Sequence, residues 1–233
     1  MAKSENNTNA KNNSKDTWLK NLGAESQEYI HFLKLDEEKK TRVLVAAYNE
    51  FLEKGYAEAS TNVIIQKAGI SKGLLFHYFG CKEGLYRFLM REATRKIASE
   101  SLPELPDKDA DVFALIKSII QVKISVCLHY PTETNFMLSA WKTNLPESLK
   151  QELENMVDIQ GNYINVLVAL LDDDLLKDGV EKNIAIEMIA WICEKYTDKL
   201  LSGNMLDTQV ASWDLIAQDL DKYLDALRGG LYK

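Results

Sequence analysis

The sequence predicts an all-α fold, with an N-terminal three-helix domain built around a helix-turn-helix and a larger C-terminal helical domain. Three observations lead there. Apolar residues recur at three- and four-residue spacing along most of the 233 residues, and no segment sustains the alternation of a strand. Only 4 Pro and 11 Gly interrupt the chain, too few for the many turns of a β fold. Residues 60–80 hold two short helical patterns joined at Ala68-Gly69-Ile70-Ser71, the punctuation of a helix-turn-helix. An apolar content of 46% supports a real core, and the length allows one large or two modest domains.

Residues 1–17 are Asn, Lys, Ser and Thr with almost nothing apolar, a composition that predicts a disordered tail. Residues 18–36 differ, with Trp18, Leu19, Leu22, Tyr29, Ile30, Phe32 and Leu33. They read either as a short extra helix packing on the next domain or as a partly ordered leader. Asp36 to Lys54 reads as the first regular helix: Val43, Ala47 and Phe51 recur every four residues, Leu44 and Tyr48 widen the stripe, and Gly55 stops it.

In the next helix, Thr61 to Ala68, Thr61 is placed to cap the N-terminus, and Val63, Ile64 and Ala68 supply the apolar face. Gly69 sits where the turn needs left-handed backbone, and Ile70 plugs the turn into the core. Ser71 then caps a helix over Lys72 to Tyr78. Its first turn, Lys72-Gly73, suits close approach to a phosphate at the positive end of the helix. Leu75 and Phe79 face inward, leaving Leu74, His77 and Tyr78 to reach DNA bases or backbone. Gly80-Cys81 ends this helix and Lys82 opens the next, which Pro103 and Pro106 close.

Charge agrees with this reading. Residues 36–100 carry 11 Lys/Arg against 9 Asp/Glu, while residues 101–233 carry 12 against 22. The long segment with a positive balance is the one holding the helix-turn-helix, as phosphate contact requires. The excess is small, so one motif should bind weakly and a dimer reading two half-sites would double the contacts.

The run Ala68-Gly69-Ile70-Ser71-Lys72-Gly73-Leu74-Leu75-Phe76-His77-Tyr78-Phe79-Gly80-Cys81-Lys82-Glu83-Gly84-Leu85-Tyr86 resembles the signature of the tetracycline-repressor (TetR) family of bacterial transcription regulators. The likeness extends upstream through Arg42 to Tyr56 and covers residues 37–90 without gaps. Leu74 stands where the family carries a small or hydroxylated residue, and Cys81 where it carries a small polar one. The resemblance implies a DNA-binding domain over 37–90 and a ligand-binding and dimerisation domain over 91–233. It implies operator contacts from Thr61, Ser71, Lys72, Gly73, Leu74, His77, Tyr78 and Lys82. Of these, Lys72 and Lys82 would sit on phosphates and Leu74 and His77 would reach bases.

Past the two prolines everything reads helical: 107–129, 132–143, a long helix opened by Asn144-Leu145-Pro146-Glu147 and reaching about residue 172, 181–201, and a last one from Thr208 to Leu227 before Gly229-Gly230. These helices are rich in aromatic and Met side chains, which suit a pocket for an apolar or aromatic ligand; Trp141, Tyr163, Met188 and Trp191 are the candidates. The last two helices carry wide apolar stripes, Ile184, Met188, Trp191 on one and Trp213, Leu220, Leu224, Leu227 on the other. That is more apolar surface than one thin domain needs. In related proteins the equivalent pair meets its symmetry mate in a four-helix bundle, so a homodimer is expected.

Other chemistry is not indicated. There is no Gly-rich phosphate loop, Gly-x-Ser-x-Gly or His-Glu-x-x-His, so no enzyme and no cofactor is expected. The three His and three Cys lack metal-ligand spacing, and Asp172-Asp173-Asp174 lacks the spaced pattern of a calcium loop. Cys81, Cys127 and Cys193 are an odd, scattered set, pointing to a reducing compartment rather than a disulfide framework. No apolar stretch approaches the roughly 20 residues of a membrane span, and the N-terminus does not resemble a signal peptide. The expectation is a cytoplasmic, ligand-responsive regulator, most simply a repressor, binding a double-stranded DNA operator. The other reading kept is a DNA-binding module without a ligand, such as a nucleoid or division factor.

Overall fold

A computed structural model of the chain describes residues 29–100, 112–156, 171, 173–202 and 213–233. Among them the regular structure is helical, with one isolated bridge between Leu176 and Tyr232. In chain order the helices are α1 (Ile30–Leu33), α2 (Glu37–Glu58), α3 (Thr61–Ala68), α4 (Lys72–Phe79), α5 (Lys82–Glu100), α6 (Val112–His129), α7 (Pro131–Lys142), α8 (described over residues 147–156), α9 (Lys182–Ser202) and α10 (Trp213–Leu231). The chain forms two compact units, one running to Ile97 and including Thr132–Leu153, the other taking Ala98–Pro131 and the residues from Glu154 onward.

The first unit is organised by aromatic packing. Phe51 and Tyr86 meet edge to face at 4.9 Å, and Phe136 of α7 enters the same cluster at 4.8 Å from Tyr86 and 5.1 Å from Tyr48. Lys96 of α5 pairs with the buried Glu133 of α7 at 2.6 Å. Thr132–Leu153, grouped with the second domain by the sequence division at residue 90, therefore packs in this unit. Arg87 and Arg91 of α5 converge on Glu152 of α8 at 2.7 and 2.5 Å.

The second unit is a three-helix core. Val112, Ile116, Ile120 and Ile124 of α6 pack with Ala185, Ile186, Ile189 and Tyr196 of α9 and with Ile216, Leu220, Leu224 and Leu227 of α10. The Tyr196 hydroxyl donates to the Ile216 carbonyl at 2.8 Å, tying α9 to α10. By length and composition alone α6 could cross a membrane, which the sequence reading expects of no segment; here its apolar face lies in this core.

Three element boundaries differ from the sequence reading. Pro131 does not simply end α6; it opens α7 at the first helical position, where a missing N–H costs nothing. The 22-residue α2 continues past Gly55 to Glu58, with a kink where Gly55 takes φ 69° and ψ 172°. Helix α10 does not stop at Leu227 but runs through Gly229 and Gly230 to Leu231. Tertiary contacts there outweigh the propensity cost of two glycines. Leu231 is buried, Tyr232 lies 5.3 Å from Phe113, and Lys177 donates to the Gly229 carbonyl at 2.6 Å. The sequence readings at 1–28, 103–106, 163, 172 and 208 fall outside the described residues.

Candidate nucleic-acid interface

The helix-turn-helix is assembled by local caps. The Ser71 hydroxyl accepts from the Leu74 N–H at 3.2 Å, fixing the start of α4. Gly69 takes φ 67° and ψ 37°, the left-handed conformation that lets α3 turn into α4 with little cost. Leu75 and Phe79 are buried, so one face of α4 is committed to the core. The start of α3 is built differently from expectation. Ser60, not Thr61, is the cap residue, and its side chain makes no capping bond. Its own N–H is held instead by the buried carboxylate of Glu50 at 3.1 Å. Thr61 is thus the first helical residue, half-buried.

Ser71, Lys72, Gly73, Leu74 and His77 lie on the open face of α4, with Leu74 41% exposed. Nothing but Ser71 Oγ, at 4.0 Å, would meet a Cβ on Gly73, so the backbone there is open to a ligand. The Lys72 ammonium stands 5.8 Å from the Phe76 ring centroid, with no carboxylate partner among the described residues. Phe76, half-buried, is a surface residue that the sequence reading does not include. Its i+4 position from Lys72 is the signal that could find it.

Two of the eight positions are placed otherwise than expected. Tyr78 is only 8% exposed, because Phe32 of α1 packs its ring 5.8 Å away. Lys82 does not extend from the surface. Its ammonium donates to the Ala57 carbonyl at 2.9 Å and the Ala59 carbonyl at 3.0 Å, and lies 5.0 Å from the Tyr56 ring centroid. It closes the end of α2 against α5, which is a structural task. Cys81 caps α5, its sulfur accepting from the Gly84 N–H at 3.4 Å.

The two-short-helix geometry, the open N-terminal turn of α4 and the solvent-facing Lys72 and His77 suit a duplex. Residues 43–88 match the family model described as bacterial regulatory proteins, tetR family. The chain is 26% identical over 198 residues to the HTH-type transcriptional regulator PksA of Bacillus subtilis, covering 82% of this chain and 90% of that one. Residues 43–88 are thus a TetR-family DNA-binding domain. The chain is a helix-turn-helix transcriptional regulator, and its curated relatives carry regulator names rather than enzyme names. It also matches the fatty acid metabolism regulator protein of Bacillus subtilis, 21% identical over 77% of this chain and 97% of that one. In fold it resembles a TetR family transcriptional regulator from Chloroflexus aurantiacus, with a TM-score of 0.63, 22% identity, and coverage of 87% of this chain and 97% of that one.

The ligand-pocket candidates fall in different units. Trp141 is 48% exposed on α7, in the first unit. Met188 and Trp191 are 38% and 62% exposed on α9, in the second. Tyr163 lies outside the described residues. Met188 lines an open groove of about 570 Å³ with Ile192, Tyr223, Leu227 and Leu231 between α9 and α10. Helix α9 therefore has two apolar faces: Ala185, Ile186, Ile189 and Tyr196 go into the core, and Ile184, Met188 and Trp191 face solvent.

Proposed function

We propose that this protein is a homodimeric, ligand-responsive repressor that reads a near-palindromic operator with α4. Lys72 holds a phosphate, Gly73 allows the backbone close approach, and Leu74 and His77 reach base edges. Ser71 and Thr61 contribute hydroxyls at the starts of α4 and α3. Tyr78 and Lys82 support the surface from beneath. The observation that carries the reading is the exposed α4 face with Lys72 unneutralised. Dimerisation is supported by the second apolar face of α9 and the groove beside it; a symmetry mate covering Ile184, Met188, Trp191 and Tyr223 would bury them in a four-helix bundle. An apolar or amphipathic effector is supported by the aromatic and Met content of the second unit and by the name of the fatty acid metabolism regulator it matches. Such an effector lowers operator affinity by preferring the conformation that does not bind DNA.

One observation favours the second reading, a DNA-binding module without a small-molecule ligand: Trp141, Met188 and Trp191 face outward rather than into an enclosed space. Two measurements separate these. Selection from a random duplex pool should enrich an inverted repeat. A thermal-shift screen of fatty acids, acyl thioesters, lipophilic cations and aromatic drugs should then yield compounds that raise the melting temperature and weaken binding to the enriched site. An enriched site with no stabilising compound would favour the module without a ligand, and no enriched site would remove the repressor.

A further inference from the structure

Helix α1 is too short to hold itself, yet it is anchored beside the recognition helix. Tyr29 and Phe32 are buried, with Tyr29 at 4.8 Å from Phe88 and Phe32 at 4.9 Å from Phe79 and 5.2 Å from Phe88. These contacts fix which residues of α1 face outward at that point. His31 is exposed, and its ring lies 4.8 Å from that of His77 on α4. Lys34, three residues on, shares the His31 face and is also exposed.

The charge pattern over residues 29–97 agrees with this placement. Along α2, α3 and α5 the cations are mostly spent on carboxylates: Lys39 on Asp36, Lys40 on Glu37, Arg42 on Glu38, Lys54 on Glu53, Lys67 on Glu50, Arg87 and Arg91 on Glu152, Arg95 on Glu92 and Lys96 on Glu133. Between residues 29 and 97, the Lys and Arg side chains with no carboxylate partner among the described residues are Lys34, Lys72 and Lys82. Lys82 is occupied by backbone carbonyls. Two unneutralised ammonium groups remain, Lys72 on α4 and Lys34 on α1, with His77 and His31 side by side between the two helices. Solvated lysines on a helical surface usually find an acidic neighbour at i±4. Among the described residues of the first unit Lys142 and Lys150 also lack a carboxylate partner, but Lys72 and Lys34 are the two that stand on α4 and on the helix packed against it.

We propose that α1 is part of the DNA-contacting surface, with Lys34 and His31 holding backbone phosphates beside the bases that α4 reads. The proposal rests on the DNA-binding reading above. It assigns to the N-terminal extension a positioning contact, uniform across sequences, next to the specific contacts of Leu74 and His77.

Salt dependence of binding is the test. Each phosphate held adds about 0.9 to the slope of log affinity against log salt, which at about 0.15 M salt corresponds to about a five-fold change in affinity. Fluorescence anisotropy with the selected duplex and with a random duplex is measured for the full chain and for Lys34→Ala, His31→Ala, the double variant, Lys34→Arg and Lys72→Ala. Lys34→Ala should weaken both duplexes by about five-fold and flatten the slope by about 0.9. The double variant should bind more weakly still, and Lys34→Arg should restore wild-type behaviour. Both side chains are exposed, so the melting curves should not move. If the double variant keeps the wild-type affinity and slope while Lys72→Ala binds more weakly, α1 is only a structural brace and the proposal is wrong. If Lys72→Ala also binds as wild type does, the α4 reading itself fails, and the two failures are distinguishable.

Discussion

Gly84 sits in the first turn of α5, and replacing it with Ala should destabilise the DNA-binding unit although Ala is the better helix former. A Cβ built on Gly84 would lie 2.0 Å from the Phe79 carbonyl oxygen and 3.2 Å from its carbon, where real Cβ contacts stay above 3.0 Å. The obstacle is backbone at the end of α4, so no rotamer change relieves it. The same oxygen accepts from the Cys81 N–H at 2.7 Å, and Phe79 is in the core. Moving the two helices apart by at least an ångström breaks that turn and loosens Phe79 against Phe88. Helix propensity favours Ala by about 1 kcal/mol, and overpacking of this kind costs about 1–3 kcal/mol and more against rigid backbone. The net expectation is a loss of about 2 kcal/mol, a fall in melting temperature of about 4–8 °C for a protein of this size. Circular dichroism melting is the assay. Gly73→Ala is the control, because it meets only Ser71 Oγ at 4.0 Å. It should stabilise by about 0.4–1 kcal/mol while weakening operator binding, since the methyl obstructs a phosphate. A Gly84→Ala protein melting at or above the wild type would refute the packing argument.

Three further expectations follow from single side chains. Glu50→Ala leaves the Ser60 N–H without its buried acceptor and should cost about 1–3 kcal/mol in a urea titration, whereas Glu50→Gln keeps an acceptor and should cost clearly less. Trp191→Asp places a charge on the outward apolar face of α9; light scattering at low micromolar concentration should give a dimer for the wild type and the 26.5 kDa of one chain for the variant, and a dimeric variant would move the interface elsewhere. Burial pushes the Cys193 thiol up to about 11, so it stays protonated, and hence unreactive, until the pH approaches that value. At pH 8 Cys193 is almost wholly thiol, and iodoacetamide followed by peptide mapping should modify the exposed Cys81 well before Cys193.

What can be read in advance is what local rules decide. Ser71 as a cap, Gly69 as a left-handed turn, and Leu75 and Phe79 as the inward face all depend on residues within four positions of each other, and each is found in the structure. The misplacements come from long-range contacts. Tyr78 is covered by Phe32, 46 positions upstream, and helical periodicity carries no information about such a neighbour. Lys82 finds carbonyls 25 and 23 residues away, at the end of a different helix. Exposed and inward lysines look alike in sequence, because the charge is solvated in one case and hydrogen-bonded in the other. Helix α10 runs through two glycines because Leu231, Tyr232 and Lys177 hold it from outside. The sequence marks Met188 and Trp191 as large and apolar, which suits a pocket or an interface equally. A sharper signal lies beside them: apolar residues at 184, 185, 186, 188, 189 and 191 wrap more than half of α9, and a helix apolar on two faces needs two neighbours.

The central claim is that α4 reads sequence through His77 and Leu74 while Lys72 only holds the backbone. It is tested most directly by the ratio of affinities for the selected site and a random duplex, measured by gel shift at one salt concentration for wild type, Lys72→Ala and His77→Ala. Lys72→Ala should weaken both duplexes together, by about five-fold for each phosphate no longer held, and leave the ratio in place. His77→Ala should lower the ratio, because each base contact contributes about 1–3 kcal/mol of discrimination, or about five- to more than a hundred-fold. A His77→Ala protein that keeps the wild-type preference for its site would contradict the account.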